Sequence, residues 1–172
     1  MRDVLNLGCG RKPRDGAVNV DISPLVGADV VHDLARRPWP LASDSFREVY
    51  AFDVIEHLDD VVGAMEELHR VCRAGASVHI TVPHFSSANA FTDPTHRHQF
   101  SYFTFDYFGT GHDLSFYSAA RFARRSAQIV FYPTVLNKAV HRLANRSPQK
   151  YEQRWAWAFP AWFLAFELEA LK

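Results

Sequence analysis

Four short apolar runs within the first 53 residues each stop on a glycine or a carboxylate, and this pattern narrows the fold more than any other feature. Val4 to Leu7 runs into Gly8-Cys9-Gly10, Ala17 to Val20 ends at Asp21, Ala28 to His32 ends at Asp33, and Arg47 to Phe52 ends at Asp53. Short runs of this kind, closed by turn-forming residues, predict buried strands. The clearest helical pattern lies at about 58–73, where Leu58, Val61, Val62, Met65, Leu68 and Cys72 recur with helical spacing. Asp59 and Asp60 stand at its electropositive end, Arg70 and Arg73 at its electronegative end, and Gly75 follows as a stop. Ser77 to Pro83 then reads as a fifth strand. Strands interleaved with helix point to a mostly parallel α/β sheet, whose ligands bind beyond the carboxyl ends of the strands. Gly8, Gly10, Asp21, Asp33, Asp53 and His84 are therefore expected on one rim.

The first connection is unusual. Only residues 11–17 separate the first two strands, whereas a parallel crossover normally takes ~12 residues or more. An extended segment of that length still reaches ~24 Å, enough to return along a short strand of ~17 Å. The expectation is an abbreviated, non-helical crossover that keeps the two strands parallel; a hairpin would carry Asp21 to the opposite end. Residues 84–116 are rich in rings and histidines without a period, which suggests an acceptor loop or lid. Gln128 to Tyr132 reads as one more strand, and the tail from about 134 to 172 as helical, broken near Ser147-Pro148 and Pro160.

Composition removes several functions. Lys plus Arg and Asp plus Glu both number 19, so a formal net charge of zero gives no field to gather nucleic acid or an anionic membrane. Cys9 and Cys72 form neither a disulfide framework nor a Cys-x-x-Cys site. Asp3 and the early Gly8 exclude a signal-peptide core, and the longest apolar stretch, Trp155 to Phe166, is too short to span a bilayer. The chain is expected to be soluble and cytoplasmic, with residues 1–172 forming one domain. Its first part, 1–85, would be the cofactor half; 84–172 would hold the acceptor loop, the last strands and a helical tail.

Leu5-Asn6-Leu7-Gly8-Cys9-Gly10, Asn19-Val20-Asp21, Asp33-Leu34 and Ala51-Phe52-Asp53-Val54-Ile55-Glu56-His57-Leu58, in that order and spacing, resemble a class I S-adenosylmethionine-dependent methyltransferase. The resemblance continues through Leu68 to Ala76 and covers roughly residues 3–85, and the sequence is similar in particular to compact methyltransferases of polysaccharide synthesis. It implies a Rossmann-like fold and S-adenosylmethionine as cofactor, held by Leu7, Gly8, Cys9, Gly10, Asp21, Ile22, Asp33, Leu34 and Asp53. Glycines let backbone approach a ligand closely, and a carboxylate after the second strand can accept from both ribose hydroxyls. By the resemblance Asp33 and Leu34 would meet the adenine. Glu56 and His57 read instead as local structure at the start of the helix. A nicotinamide site fits poorly: position 13 is proline rather than a third glycine, and Asp21 follows Gly8 too soon.

The acceptor side is expected from His84 and from Asp93-Pro94-Thr95-His96-Arg97-His98. Methyl transfer to an alcohol requires removal of a proton, and a positioned histidine can do this near neutral pH. His84, His96 and His98 are the candidates for that base, with Asp93 orienting one of them or binding a sugar hydroxyl. A divalent metal held by Asp93, His96 and His98 is a lesser reading, and a structural role for the histidines another. Rings between Tyr102 and Tyr117 would line an acceptor pocket or form lid core. The apolar tail would close a sheet face, with a homodimer contact as the next alternative. The expected activity is O-methylation of a small-molecule or glycan hydroxyl. The alternatives are a cofactor-binding, non-catalytic partner subunit, an unrelated nucleotide-binding module, and a methyltransferase acting on an amine or carboxylate.

Overall fold

The computed structural model describes residues 2–172. Its centre is a seven-stranded sheet in the order β3-β2-β1-β4-β5-β7-β6. The strands are β1 (Val4–Leu7), β2 (Val18–Asp21), β3 (Val30–Val31), β4 (Phe46–Phe52), β5 (Cys72–Pro83), β6 (Phe122–Val130) and β7 (Phe163–Ala170). All pairings from β3 across to β5 are parallel, and β7 runs antiparallel to both β5 and β6. The helices are α1 (Val61–Val71), α2 (Asn89–Thr92), α3 (Val135–Arg146) and α4 (Pro148–Arg154). Among the described residues no helix is long and apolar enough to cross a membrane.

Alternation along the strands sorts the faces. Leu5, Leu7, Val49, Ala51, Val78, Ile80 and Val82 are buried in one core with Ala64, Met65, Leu68 and Val71 of α1. The intervening residues of β4 and β5 are more polar: Tyr50 and His79 stack with ring centroids 4.8 Å apart. The helix starts at Val61, later than the expected 58, because Asp60 caps it by accepting from the Gly63 N–H at 2.8 Å.

β1 and β2 are parallel, with Leu5 opposite Val18 and Leu7 opposite Val20, and no helix intervenes. A buried amide pair takes the helix's place in ordering this crossover. Asn6 and Asn19 lie opposite each other, and Asn6 Nδ2 donates to Asn19 Oδ1 at 2.9 Å. The same oxygen accepts from the Arg14 N–H at 2.8 Å, while Asn19 Nδ2 donates to the Arg14 carbonyl at 3.1 Å. Arg14, held at both backbone atoms, lays its guanidinium 3.6 Å from the centre of the Tyr50 ring. A seven-residue loop thus acquires the internal bonds that a helix would have supplied.

The tail departs from expectation. It is helical only through α3 and α4, and Phe163 to Ala170 is a strand inserted between β5 and β6. Leu164, Phe166, Leu168 and Ala170 are buried and the residues between them are not, a period of two that pairing with both neighbours enforces. Trp155 and Trp157, expected to help close a sheet face, remain exposed at 54% and 72%. β6 also begins earlier than its apolar pattern, at Phe122, because its first half lies along β7 through the polar stretch Arg124 to Ser126.

Replacing Asn19 by alanine leaves the Arg14 N–H and the Asn6 amide without their buried acceptor. Each buried group left unpaired costs about 1–3 kcal/mol. Urea denaturation of Asn19→Ala should show the unfolding free energy lowered by at least that amount.

Candidate active site

The carboxyl ends of the parallel strands converge as the topology requires, and one cavity of about 1100 Å³ opens there. It is lined on one side by Asn6, Gly8, Cys9, Lys12, Arg14 and Asp53, and on the other by Glu56, His57, Asn89, Asp93 and His96, with Trp162 and Phe163 closing one wall. Two features of its backbone restrict which residues can stand there. Gly8 has φ +59°, and a Cβ there would lie 2.6 Å from Val54 Cγ2. Asp53, a non-glycine residue, sits at φ 54°; its N–H donates to the Thr81 carbonyl at 3.0 Å and its Oδ1 accepts from the Thr81 hydroxyl at 2.9 Å. Strain of this kind persists only where surrounding contacts hold it.

Asp21 ends β2 beside the glycine turn. Its Oδ2 accepts from the Gly10 N–H at 2.8 Å and its Oδ1 from the Ser23 N–H at 2.9 Å. The carboxylate is thereby aimed, and each oxygen retains a lone pair for a hydroxyl. Gly10, at φ +48°, faces open space: an added Cβ would meet nothing within 4 Å. Next to Asp21, Ile22 is 66% exposed, an apolar surface unpartnered in the fold. An oriented carboxylate, an open glycine turn and an exposed aliphatic side chain fit a nucleoside with a ribose diol. Asp33 lies on the same rim, its Oδ1 accepting from the Ala35 N–H at 3.0 Å, while the Leu34 side chain is buried in the core. Leu7 is likewise buried beneath the turn, and Cys9 is anchored by its N–H to the Val20 carbonyl at 3.1 Å.

The histidines separate into docking and cavity groups. His84 has no exposed surface and lies outside the cavity lining. Its Nδ1 accepts from the Ser86 N–H at 3.1 Å, which leaves the proton on Nε2, 3.2 Å from Glu152 Oε1. That oxygen also accepts from the Tyr102 N–H at 2.6 Å. His84 thus clamps the end of β5 to α4 and the aromatic loop, and the expectation that it meets an acceptor is corrected. His98 also turns away, with Nε2 3.2 Å from the Asp59 carbonyl. The set Asp93, His96 and His98 therefore does not converge on a metal.

His96 does face the cavity, in company the sequence reading had assigned to local structure. Glu56, His57 and His96 place ligand-capable atoms within 4.8 Å of one another. The loop carrying His96 is docked on the turn carrying Glu56: the Arg97 N–H donates to the Glu56 carbonyl at 2.8 Å, and Arg97 pairs with Asp59 at 2.6 Å. Asp93 Oδ1 accepts from both the N–H and the hydroxyl of Thr95, at 2.8 and 2.7 Å. The Thr95 oxygen lies 2.8 Å from His57 Nδ1. Since that hydroxyl proton is committed to Asp93, the oxygen accepts from His57 Nδ1–H, and His57 Nε2 carries the free lone pair.

Glu56 is 1% exposed, and neither carboxylate oxygen has a hydrogen-bond partner. Burial, reinforced by the negative charges of Asp53 and Asp93, pushes its carboxyl up to about 8. Burial, and then the charge of His96, pulls His57 below the ordinary imidazole range. The rings between Tyr102 and Phe108 contribute elsewhere: Phe105 and Phe108 are core, and Arg124 lies 4.9 Å over Tyr102. Sequence reasoning missed Glu56, His57, Lys12, Arg14, Asn89 and Trp162 as cavity residues; of these, only the adjoining Glu56-His57 pair after a rim strand carried a chemical signal.

Residues 5–80 match the family model for the methyltransferase domain. No curated protein matches the sequence. A S-adenosylmethionine-dependent methyltransferase from Archaeoglobus fulgidus superposes with a TM-score of 0.66 at 18% identity, over 98% of this chain and 86% of that one. A chain of the Haloferax volcanii complex with the Trm112 methyltransferase activator gives 0.61 at 15% identity, over 98% and 82%. The [4+2]-cyclase SpnF gives 0.62 at 16% identity, over 98% and 74%. The fold is that of the class I methyltransferases, and the stretch that matches the methyltransferase-domain model, residues 5–80, is the part that carries the glycine turn, Asp21 and Asp53. The particular acceptor is a matter of the cavity, since a cyclase shares the fold.

Glu56 generates a pH prediction. In the unfolded chain it titrates near ~4.3 and in the folded chain at about 8. Between these values the native state holds a proton that the unfolded state releases, so stability is fullest at low pH and falls as pH rises through that window. Above pH ~6.5 the opposing effect of His57 has ended. In a chelating buffer, unfolding free energy should decline from pH 6.5 to 8 with a slope approaching ~1.4 kcal/mol per pH unit. Glu56→Gln should flatten that slope in denaturant titrations at each pH.

Proposed function

We propose that the chain transfers a methyl group from S-adenosylmethionine to a hydroxyl of a small polyhydroxylated acceptor of the sugar or glycan type. The observation that carries this reading is the single cavity in which the glycine turn and Asp53 face the buried cluster of Glu56, His57 and His96. When bound, the cofactor supplies a methyl carbon activated by a positive sulfur. Gly8, Cys9 and Gly10 offer backbone to its amino-acid part, Asp21 holds the ribose diol, and Ile22, Asp33 and the Leu34 backbone flank the base. Lys12 and Arg14 bring positive charge to the same wall.

On the other wall, Asn89, Thr92 and Asp93 offer hydrogen bonds and Trp162 offers a ring, a combination suited to hydroxyl-bearing faces. Asp53 and Asp93 both line this space, and their negative charge argues against a carboxylate acceptor. The acceptor hydroxyl meets the Glu56–His57–His96 cluster, and its proton passes from there to water. The oxygen's electron pair then forms the bond to the methyl carbon as the carbon–sulfur bond breaks, giving a methyl ether and S-adenosylhomocysteine. Alignment and exclusion of water supply much of the acceleration in such an in-line displacement. The two buried, unpaired cysteines accord with a reducing, cytoplasmic setting.

Calorimetric titration with S-adenosylhomocysteine should give one site, weakened at least tenfold in Asp21→Ala. In a methyl-transfer assay on hydroxylated sugars, His96→Gln should keep that binding and lose about 10²-fold or more in kcat. Folded wild-type protein that fails to bind S-adenosylhomocysteine would sink the reading.

A further inference from the structure

We propose that Glu56, His57 and His96 bind a divalent transition-metal cation of the Zn²⁺ class at the acceptor end of the cavity. One carboxylate and two imidazoles are a donor set that suits Zn²⁺ and its first-row neighbours, and not Mg²⁺ or Ca²⁺, which prefer oxygen cages. The ligand-capable atoms lie within 4.8 Å of one another, with His96 Nε2 4.0 Å from Glu56 Oε1 and the His57 and His96 rings 4.7 Å apart. In a tetrahedral site with bonds of ~2.1 Å, donor atoms stand ~3.4 Å apart. Small side-chain rotations bring the three to that spacing.

Two further observations point to a cation. Both Glu56 oxygens are buried with no hydrogen-bond partner, an expense that folded proteins rarely leave standing. The Thr95 hydroxyl, itself committed to Asp93, fixes the proton of His57 on Nδ1 and turns its Nε2 lone pair free. A histidine whose remote nitrogen donates to an outer oxygen, backed by a carboxylate, is the usual arrangement around protein-bound zinc. Asp53 and Asp93 add negative charge at the same wall.

Three protein donors leave at least one coordination position toward the cavity. There the cation takes the acceptor's hydroxyl oxygen as a ligand and lowers its pKa, so that the proton passes to water near neutral pH before the oxygen attacks the methyl carbon. This role rests on the methyl-transfer reading; the ion site does not.

The test uses full-length protein stripped with a chelator and titrated with Zn²⁺ alone against a chromophoric competitor. One equivalent should bind, and Glu56→Gln or His96→Gln should weaken it at least 100-fold. Thr95→Val, at an exposed position that contacts no ion, should weaken it about tenfold while leaving the fold and S-adenosylhomocysteine binding intact. The proposal fails if stripped wild-type protein takes up no Zn²⁺, or if its equivalent survives both ligand substitutions. Zn²⁺ binding without S-adenosylhomocysteine binding would keep the ion site and overturn the methyl-transfer reading; the reverse result would overturn the ion site alone.

Discussion

The cavity depends on an amide pair, Asn6 and Asn19, of which Asn6 reaches its lining. Asn19 Oδ1 accepts from Asn6 and from the Arg14 backbone, and its Nδ2 returns to the Arg14 carbonyl. Those bonds let seven residues do what a helical crossover does elsewhere, so β1 and β2 run parallel and end on the same rim. Only then can Asp21 reach the Gly10 N–H and stand beside the glycine turn. A buried polar pair costs more than an apolar one unless every group is matched. Here the matching is nearly complete, and it converts two asparagines into the device that sets strand direction.

A second organising contact lies across the cavity. The stretch from Asp93 to His98 touches the turn Ile55–His57 and its sequel through Arg97, His98 and Thr95, by backbone, ion pair and side chain. Docking at several independent points fixes His96 relative to Glu56 far better than one contact would. It also separates two neighbouring histidines: His96 lines the cavity, while His98 is held at the Asp59 carbonyl.

Much of this was legible in the sequence, and the reasons for success and failure are physical. The glycine turn, Asp21, Asp53 and α1 are local: turn chemistry, strand-end carboxylates and helical spacing are decided by nearby residues. The parallel first crossover was legible from chain reach alone. β7 was not, because Phe163 to Ala170 follows a run of tryptophans and its period of two acquires meaning only through β5 and β6, distant partners in sequence. His84 misled for a similar reason: its position after a rim strand was right, and its burial follows from Glu152, which lies 68 residues away. Glu56 was dismissed because nothing in a sequence distinguishes a carboxylate that caps a turn from one that is sealed without a partner.

The comparison of Glu56 with Glu67 makes that last distinction concrete. Both are buried glutamates, at 1% and 9% exposure, Glu56 in the turn before α1 and Glu67 within it. Glu67 is fully served: Arg70 donates twice, at 2.8 Å each, and the Trp39 N–H donates at 2.7 Å, which holds its carboxyl below the usual range. The fold therefore satisfies a buried carboxylate where the role is to brace α1 against the 39–43 loop. At Glu56 neither oxygen has a hydrogen-bond partner, and the ligand-capable atoms beside it are those of two imidazoles. Desolvation without a partner is destabilising wherever it occurs. Its coincidence with the left-handed Asp53 and the tight Gly8 turn gathers the fold's standing costs around one cavity. A site that must admit a ligand cannot spend its polar atoms on the fold, and the unspent carboxylate of Glu56 is where the two demands meet.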